Sequence, residues 1–105
     1  RQTWFIPGIE LVQADRFRRQ CMRMMADKMN LVQMIFGPSF AGSMCLITNN
    51  TGHPSLTLRT GIKADGTPHA ATLIGRLFDE AALCRVGMAL EQRLGVWDRR
   101  PSLTT

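Results

Sequence analysis

Between Met29 and Leu58 the chain carries no Asp, Glu, Lys or Arg, although one-fifth of the whole sequence is charged. Such a run is costly to leave in water, and it marks the expected buried centre. A membrane span is excluded, because Asn30, Gln33, Pro38, Asn49, Asn50 and Pro54 interrupt it and would need partners in lipid. Inside the run, Leu46–Gly61 passes from helical to strand periodicity through Gly52-His53-Pro54. The remaining elements are expected to pack around that joint.

With 105 residues, 45% of them apolar, the chain suits one small domain or part of a larger one, and a disordered class is excluded. The net charge of +5 comes from thirteen basic residues, only two of them lysines, spread along the sequence. The densest group, Arg16, Arg18, Arg19 and Arg23 beside Asp15, falls on several sides of a helical wheel. This is the pattern of a solvated helix surface, not of a nucleic-acid footprint. Tyr is absent, and no aromatic-basic interleaving offers a base-stacking platform. Cys21, Cys45 and Cys84 are too sparse for a disulfide framework and contain no CxxC pair for zinc, so buried reduced thiols are expected. Arg1–Gly8 lacks the apolar stretch of a signal peptide, which places the chain in the cytoplasm by expectation.

Apolar residues at Ala14, Phe17, Cys21, Met24, Met25 and Met29 predict a helix over 10–29, ended by Asn30. Val32–Phe36, stopped by Gly37-Pro38, predicts a strand buried on both faces. A short helix over 43–51 is predicted to close on a left-handed Gly52, with Pro54 preventing continuation. Leu56 and Leu58 alternate with polar residues in a strand over 55–60, and a second strand over 69–74 follows the Asp65-Gly66 turn. Asp79 is the expected N-cap of a last helix reaching Leu94, with Leu83, Val86, Gly87, Leu90 and Leu94 on its apolar face and Gly95 as its stop. This order predicts an α/β fold, a mixed sheet with flanking helices. Three strands would leave that sheet needing neighbours, so the chain is expected to be one segment of a larger domain.

Local motifs for chemistry are weak. Ser39, Ser43, Ser55 and Ser102 lie in no Gly-x-Ser-x-Gly elbow and precede no nearby Lys, and His53 and His69 read as turn and strand residues. No Gly-rich phosphate loop is present.

The succession Gly37-Pro38-Ser39-Phe40-Ala41-Gly42, Leu46-Ile47-Thr48-Asn49-Asn50-Thr51-Gly52-His53-Pro54, Asp65-Gly66-Thr67-Pro68 and Ile74-Gly75-Arg76-Leu77-Phe78-Asp79-Glu80 closely resembles the C-terminal part of amidase signature enzymes. Ile6-Pro7-Gly8-Ile9-Glu10 and Arg99-Arg100-Pro101 extend the likeness over nearly the whole chain. Gly52-His53-Pro54 and the Gly75–Glu80 block look more like stand-alone amidases than like the A subunit of glutamyl-tRNA amidotransferase. Arg59-Thr60 departs from the family's apolar-Pro strand end, and Asp98 stands where a His is common.

The resemblance implies the C-terminal portion of the amidase signature α/β/α fold, with residues 1–8 as entering segment and 96–105 as exit tail. It implies hydrolysis of carboxylic amides by a Ser-Ser-Lys set lying upstream. Lys28 and Lys63 do not match the catalytic lysine, and no serine here matches either catalytic serine, so this chain alone is expected to be inactive. Its contribution would be structural, with Thr48, Asn49, Asn50, Thr51 and Gly52 as a wall of the substrate channel. The expected partners are the upstream portion of the enzyme and a small amide, without cofactor, metal, nucleic acid or membrane; a homo-oligomer is left open. The alternative is a free-standing basic module that recognises an acidic partner through the Arg16–Arg23 helix.

Overall fold

Left-handed glycines close two of the helices, whereas the first strand runs through the Gly37-Pro38 expected to stop it and the second runs past Thr60 to Ile62. The computed structural model describes residues 5–100 and contains helix α1 (Gly8–Leu31), strand β1 (Met34–Pro38), helix α2 (Met44–Thr51), strands β2 (Ser55–Ile62) and β3 (Pro68–Gly75), and helix α3 (Glu80–Leu94). Element order and type are those predicted from periodicity. Pro7 precedes α1, whose first turn holds Glu10 and last turn Lys28, each complementing the helix dipole. The helix runs past Asn30 to Leu31, because the Arg76 guanidinium satisfies its end: Nε donates to the carbonyls of Met29 at 3.0 Å and Val32 at 3.2 Å. Gly52 (φ 80°) and Gly95 (φ 61°) close α2 and α3 in the left-handed region, their N–H groups donating to Thr48 and Glu91. Asp79 takes the N-cap position of α3, but its side chain makes no capping hydrogen bond, contrary to expectation. The preceding Phe78 holds a φ of 63°, a conformation uncommon for a bulky residue.

The sheet has the order β1-β3-β2, and both pairings are antiparallel, so the expected mixed character is absent among the described strands. Ile35 faces Ile74 across one ladder, and Leu56 and Leu58 face Leu73 and Ala71 across the other. β1 is an edge strand and only half-buried, where two-sided burial was predicted. That role passes to β3, which is buried from Ala71 to Gly75 because it alone has neighbours on both sides. A register shift between Arg59 and Gly61 leaves Thr60 in a bulge.

Each face of the sheet has its own cluster. On one, Leu58, Leu73 and Leu83 are buried, with Met34, Leu56 and Leu90 packed against them. Gly87 makes the close approach of α3 possible, since a Cβ there would overlap the Leu56 side chain. On the other face, Met25, Met29 and Ile74 are buried beside Ile35 and Met44. The predicted apolar face of α1 is therefore buried only near its C-terminus: Phe17 and Met24 are exposed. Val86 is also exposed, and so are Cys45 and Cys84, while Cys21 is half-buried; all three thiols are free, but the expected burial is not found.

The charge-free run is not the buried centre of this chain. Phe36 is 60% exposed, Phe40 97% and Leu46 63%. The accessible surface is 8603 Å² for 11.8 kDa, against roughly 5,900 Å² for a compact monomer of that mass. The radius of gyration is 17.8 Å, against about 13 Å for a globular domain of this length. Absence of charge marks residues that favour an apolar environment, and the described chain supplies only part of that environment. Among the described residues, no helix is long and apolar enough to cross a membrane.

Candidate functional site

The predicted wall lies at the C-terminal end of α2, and the structure divides its residues by direction. Thr48 and Thr51 are buried, whereas Asn49, Asn50 and Gly52 are exposed. The two threonines are turned inward by their own helix: Thr48 Oγ1 donates to the Cys45 carbonyl at 3.0 Å, and Thr51 Oγ1 donates to that of Ile47 at 2.9 Å. Both hydroxyls thereby spend their proton on a backbone acceptor, as threonines in helices commonly do. Only Asn49, Asn50 and the backbone at Gly52 present groups outward.

His53, read from sequence as a turn residue, is buried directly beyond this cap, with Nδ1 2.9 Å from Thr51 Oγ1. Since the Thr51 proton is directed to Ile47, the hydroxyl oxygen is left as acceptor and the ring carries its proton on Nδ1. Burial lowers the His53 pKa below the ordinary 6.5, favouring the neutral ring. Next, the Pro54 carbonyl accepts a hydrogen bond from Gly75 N–H at 3.0 Å, which ties the turn to the end of β3. Arg18 of α1 supplies the remaining tie: its Nε donates to the Asn50 carbonyl at 2.8 Å, placing a cation at the negative end of the α2 dipole. Spacing could not reveal this pairing across 32 residues, nor the burial of His53.

The other end of α2 borders an apolar pocket of about 280 Å³, lined by Ile35, Ser39, Met44, Cys45, Thr72 and Ile74 among others. None of Thr48–Gly52 lines it. Within reach of the pocket, Ser39 Oγ is buried and has no hydrogen-bond partner among the described residues. Ser39 also borders a second cavity of about 240 Å³ with Lys63 and His69. Those three residues make no hydrogen bond to one another among the described contacts; His69 Nδ1 lies 2.9 Å from Thr60 Oγ1 instead. A nucleophile linked to an oriented base is therefore not assembled here. No group of His, Cys, Asp or Glu able to hold a metal occurs among the described residues.

The Arg16–Arg23 cluster, basis of the alternative reading, is partly neutralised where it stands. Asp15 lies 3.1 Å from Arg19 and 3.8 Å from Arg18, and Arg18 is also committed to Asn50.

No protein-family model matches the chain. Among curated proteins, one from Mycobacterium tuberculosis named as an amidase, AmiD, is 45% identical over 53 residues, which is 50% of this chain and 11% of that protein. The A subunit of the glutamyl-tRNA(Gln) amidotransferase of Brevibacillus brevis is 36% identical over 53 residues, with the same coverage of 50% and 11%. In fold, an amidase family protein from Bacillus anthracis matches 95% of this chain and 20% of its own length, with a TM-score of 0.79 at 19% identity. The matched stretch is thus about one-ninth of the curated relatives' length. Likeness in sequence over half of the chain and likeness in fold over nearly all of it converge: the chain is similar in sequence to part of an amidase and of an amidotransferase A subunit, and it has the α/β fold of part of an amidase family protein.

Proposed function

We propose that this chain forms the C-terminal structural portion of a cytoplasmic amidase, completing its sheet and contributing one wall of the substrate channel. The observation that carries the reading is the superposition of α1 to α3 on one-fifth of an amidase family protein. The uncovered side chains of Phe36, Phe40 and Leu46 support it, since an upstream portion packed over them would bury the apolar surface left open here. Hydrolysis of a small carboxylic amide then depends on a Ser-Ser-Lys set brought by that portion. At the channel, the exposed amides of Asn49 and Asn50 are the groups available to meet substrate, and Thr48, Thr51 and His53 hold their helix end in place. Neither cofactor nor nucleic acid has a role in this reading.

The test is hydrolysis of simple aryl amides by the 105-residue chain and by the chain supplied with the upstream portion of its enzyme. Background turnover is expected from the first, because no Ser among the described residues is joined to a base. Activity is expected from the second, with Asn49→Ala or Asn50→Ala changing KM more than kcat. Turnover by the chain alone that Ser39→Ala abolishes would overturn the division of labour.

A further inference from the structure

The β2–β3 hairpin and the segment after α3 border a cleft of about 500 Å³, which no residue of α2 lines. Arg59, Asp65, Thr67, Arg99 and Arg100 are among its lining residues. Arg59 builds one side of it: Nη1 donates to the Arg99 carbonyl at 2.6 Å and Nη2 to the Trp97 carbonyl, drawing the C-terminal segment against β2. Those carbonyls satisfy donors but bring no countercharge. Arg59 Nε is buried and has no partner among the described residues.

The charges do not cancel. Three arginines and one carboxylate leave the lining at a formal +2. The ion pairs found among the described residues involve only Asp15, with Arg18 and Arg19, so none of the three cleft arginines is paired there. Asp65 is turned back on its own loop, where Oδ1 accepts from the Thr67 N–H at 2.9 Å and the Thr67 hydroxyl at 2.6 Å. Like charges gathered around a concave surface repel one another and concentrate a positive field in it. The group that best answers several guanidinium forks carries two or more oxygens and negative charge.

We propose that this cleft binds the oxyanion group, phosphate or carboxylate, of a small molecule. Its volume lies in the range of small-molecule sites. Three arginines confined to one cleft do not form the extended basic track that a nucleic acid requires. The site stands apart from the candidate channel wall and does not depend on the amidase reading.

The test is an NMR titration of the full chain with inorganic phosphate and, separately, with succinate, following the Nε–H resonances of arginine against a sodium chloride series of equal ionic strength. Saturable shifts at Arg59, Arg99 or Arg100 beyond those of chloride are expected from at least one oxyanion. Phosphate alone would specify a phosphoryl ligand, and succinate alone a carboxylate. Arg99→Gln and Arg100→Gln, both exposed and free of described hydrogen bonds from their side chains, should each weaken binding about three- to tenfold, as loss of one partly solvated charge-assisted contact implies. Arg59→Lys provides a further check, since it keeps the charge but loses the fork that holds the segment. Shifts no larger than those of chloride, or equal shifts at Arg16 and Arg23, would overturn the proposal, as would unchanged affinity in both glutamine variants.

Discussion

The ring nitrogen Nδ1 of His53 lies 2.9 Å from the hydroxyl oxygen of Thr51, whose own proton is directed to the Ile47 carbonyl. This short relay joins the last turn of α2 to the strand that follows, and it makes the turn sensitive to pH. The folded protein holds the ring neutral because burial lowers its pKa below 6.5. The unfolded chain therefore binds the proton more readily between the folded value and 6.5, and stability rises with pH across that window. A urea midpoint that falls as pH drops from about 7.5 through the ordinary histidine range, with that component missing in His53→Gln, is the expected outcome. Equal pH slopes in the two proteins would disprove it, and a 15N spectrum at neutral pH should show the proton on Nδ1.

Gly52→Ala should destabilise by about 1–2 kcal/mol, the cost of placing an L side chain in the left-handed region. Space does not add to it, because the new Cβ would meet only Leu77 Cδ2 at an ordinary 3.8 Å. Gly52→Asn should recover part of the loss, since Asn tolerates this conformation better. Denaturation midpoints of the three proteins decide the matter.

Two other glycines separate crowding from helix propensity. At Gly75 an added Cβ would stand 2.9 Å from Leu83 Cγ and 3.1 Å from its Cδ1, so the buried Leu83 would have to shift as a whole. Gly75→Ala should cost about 1–3 kcal/mol by overpacking. At Gly87 the obstruction is a terminal methyl of the half-buried Leu56, and Ala gains about 1 kcal/mol over Gly within a helix. Gly87→Ala should therefore cost clearly less than Gly75→Ala. The reverse order in urea denaturation would show that α3 cannot yield against β2.

Truncating α3 should reveal its depth. Leu83 is buried at 3% exposure in the cluster with Leu58 and Leu73, so Leu83→Ala should cost about 2–5 kcal/mol. Leu90 belongs to the same face but is only half-buried, and its truncation should fall at or below the lower end of that range. Equal losses at the two positions would indicate that Leu90 is buried in solution.

Secondary structure was largely legible from residue order. Gly52 and Gly95 close helices in the left-handed region, and Pro54 bars continuation, where local backbone geometry demands it, and that demand does not depend on what lies nearby. The period-two pattern of Ser55–Thr60 and the small residue at Gly87 likewise report a strand face and a close helix approach, both found in the structure. For the candidate site, sequence located the helix end at Thr48–Gly52 but could not tell its inward threonines from its outward asparagines.

Tertiary structure alone decided what lies inside. β3 is central because it pairs on both sides, a fact about strand order that its own residues do not encode. Arg18 meets Asn50, Arg76 meets Met29, and Arg59 meets Trp97 and Arg99 only because the fold brings these distant positions together. The charge-free run shows the same division from the other side. Composition determined that Met29–Leu58 favours an apolar setting, since leaving such side chains in water costs free energy wherever they are. Which of them this chain covers depends on layer packing, and α1, α2 and α3 reach Met29 and Leu58 while leaving Phe36 and Phe40 in the open.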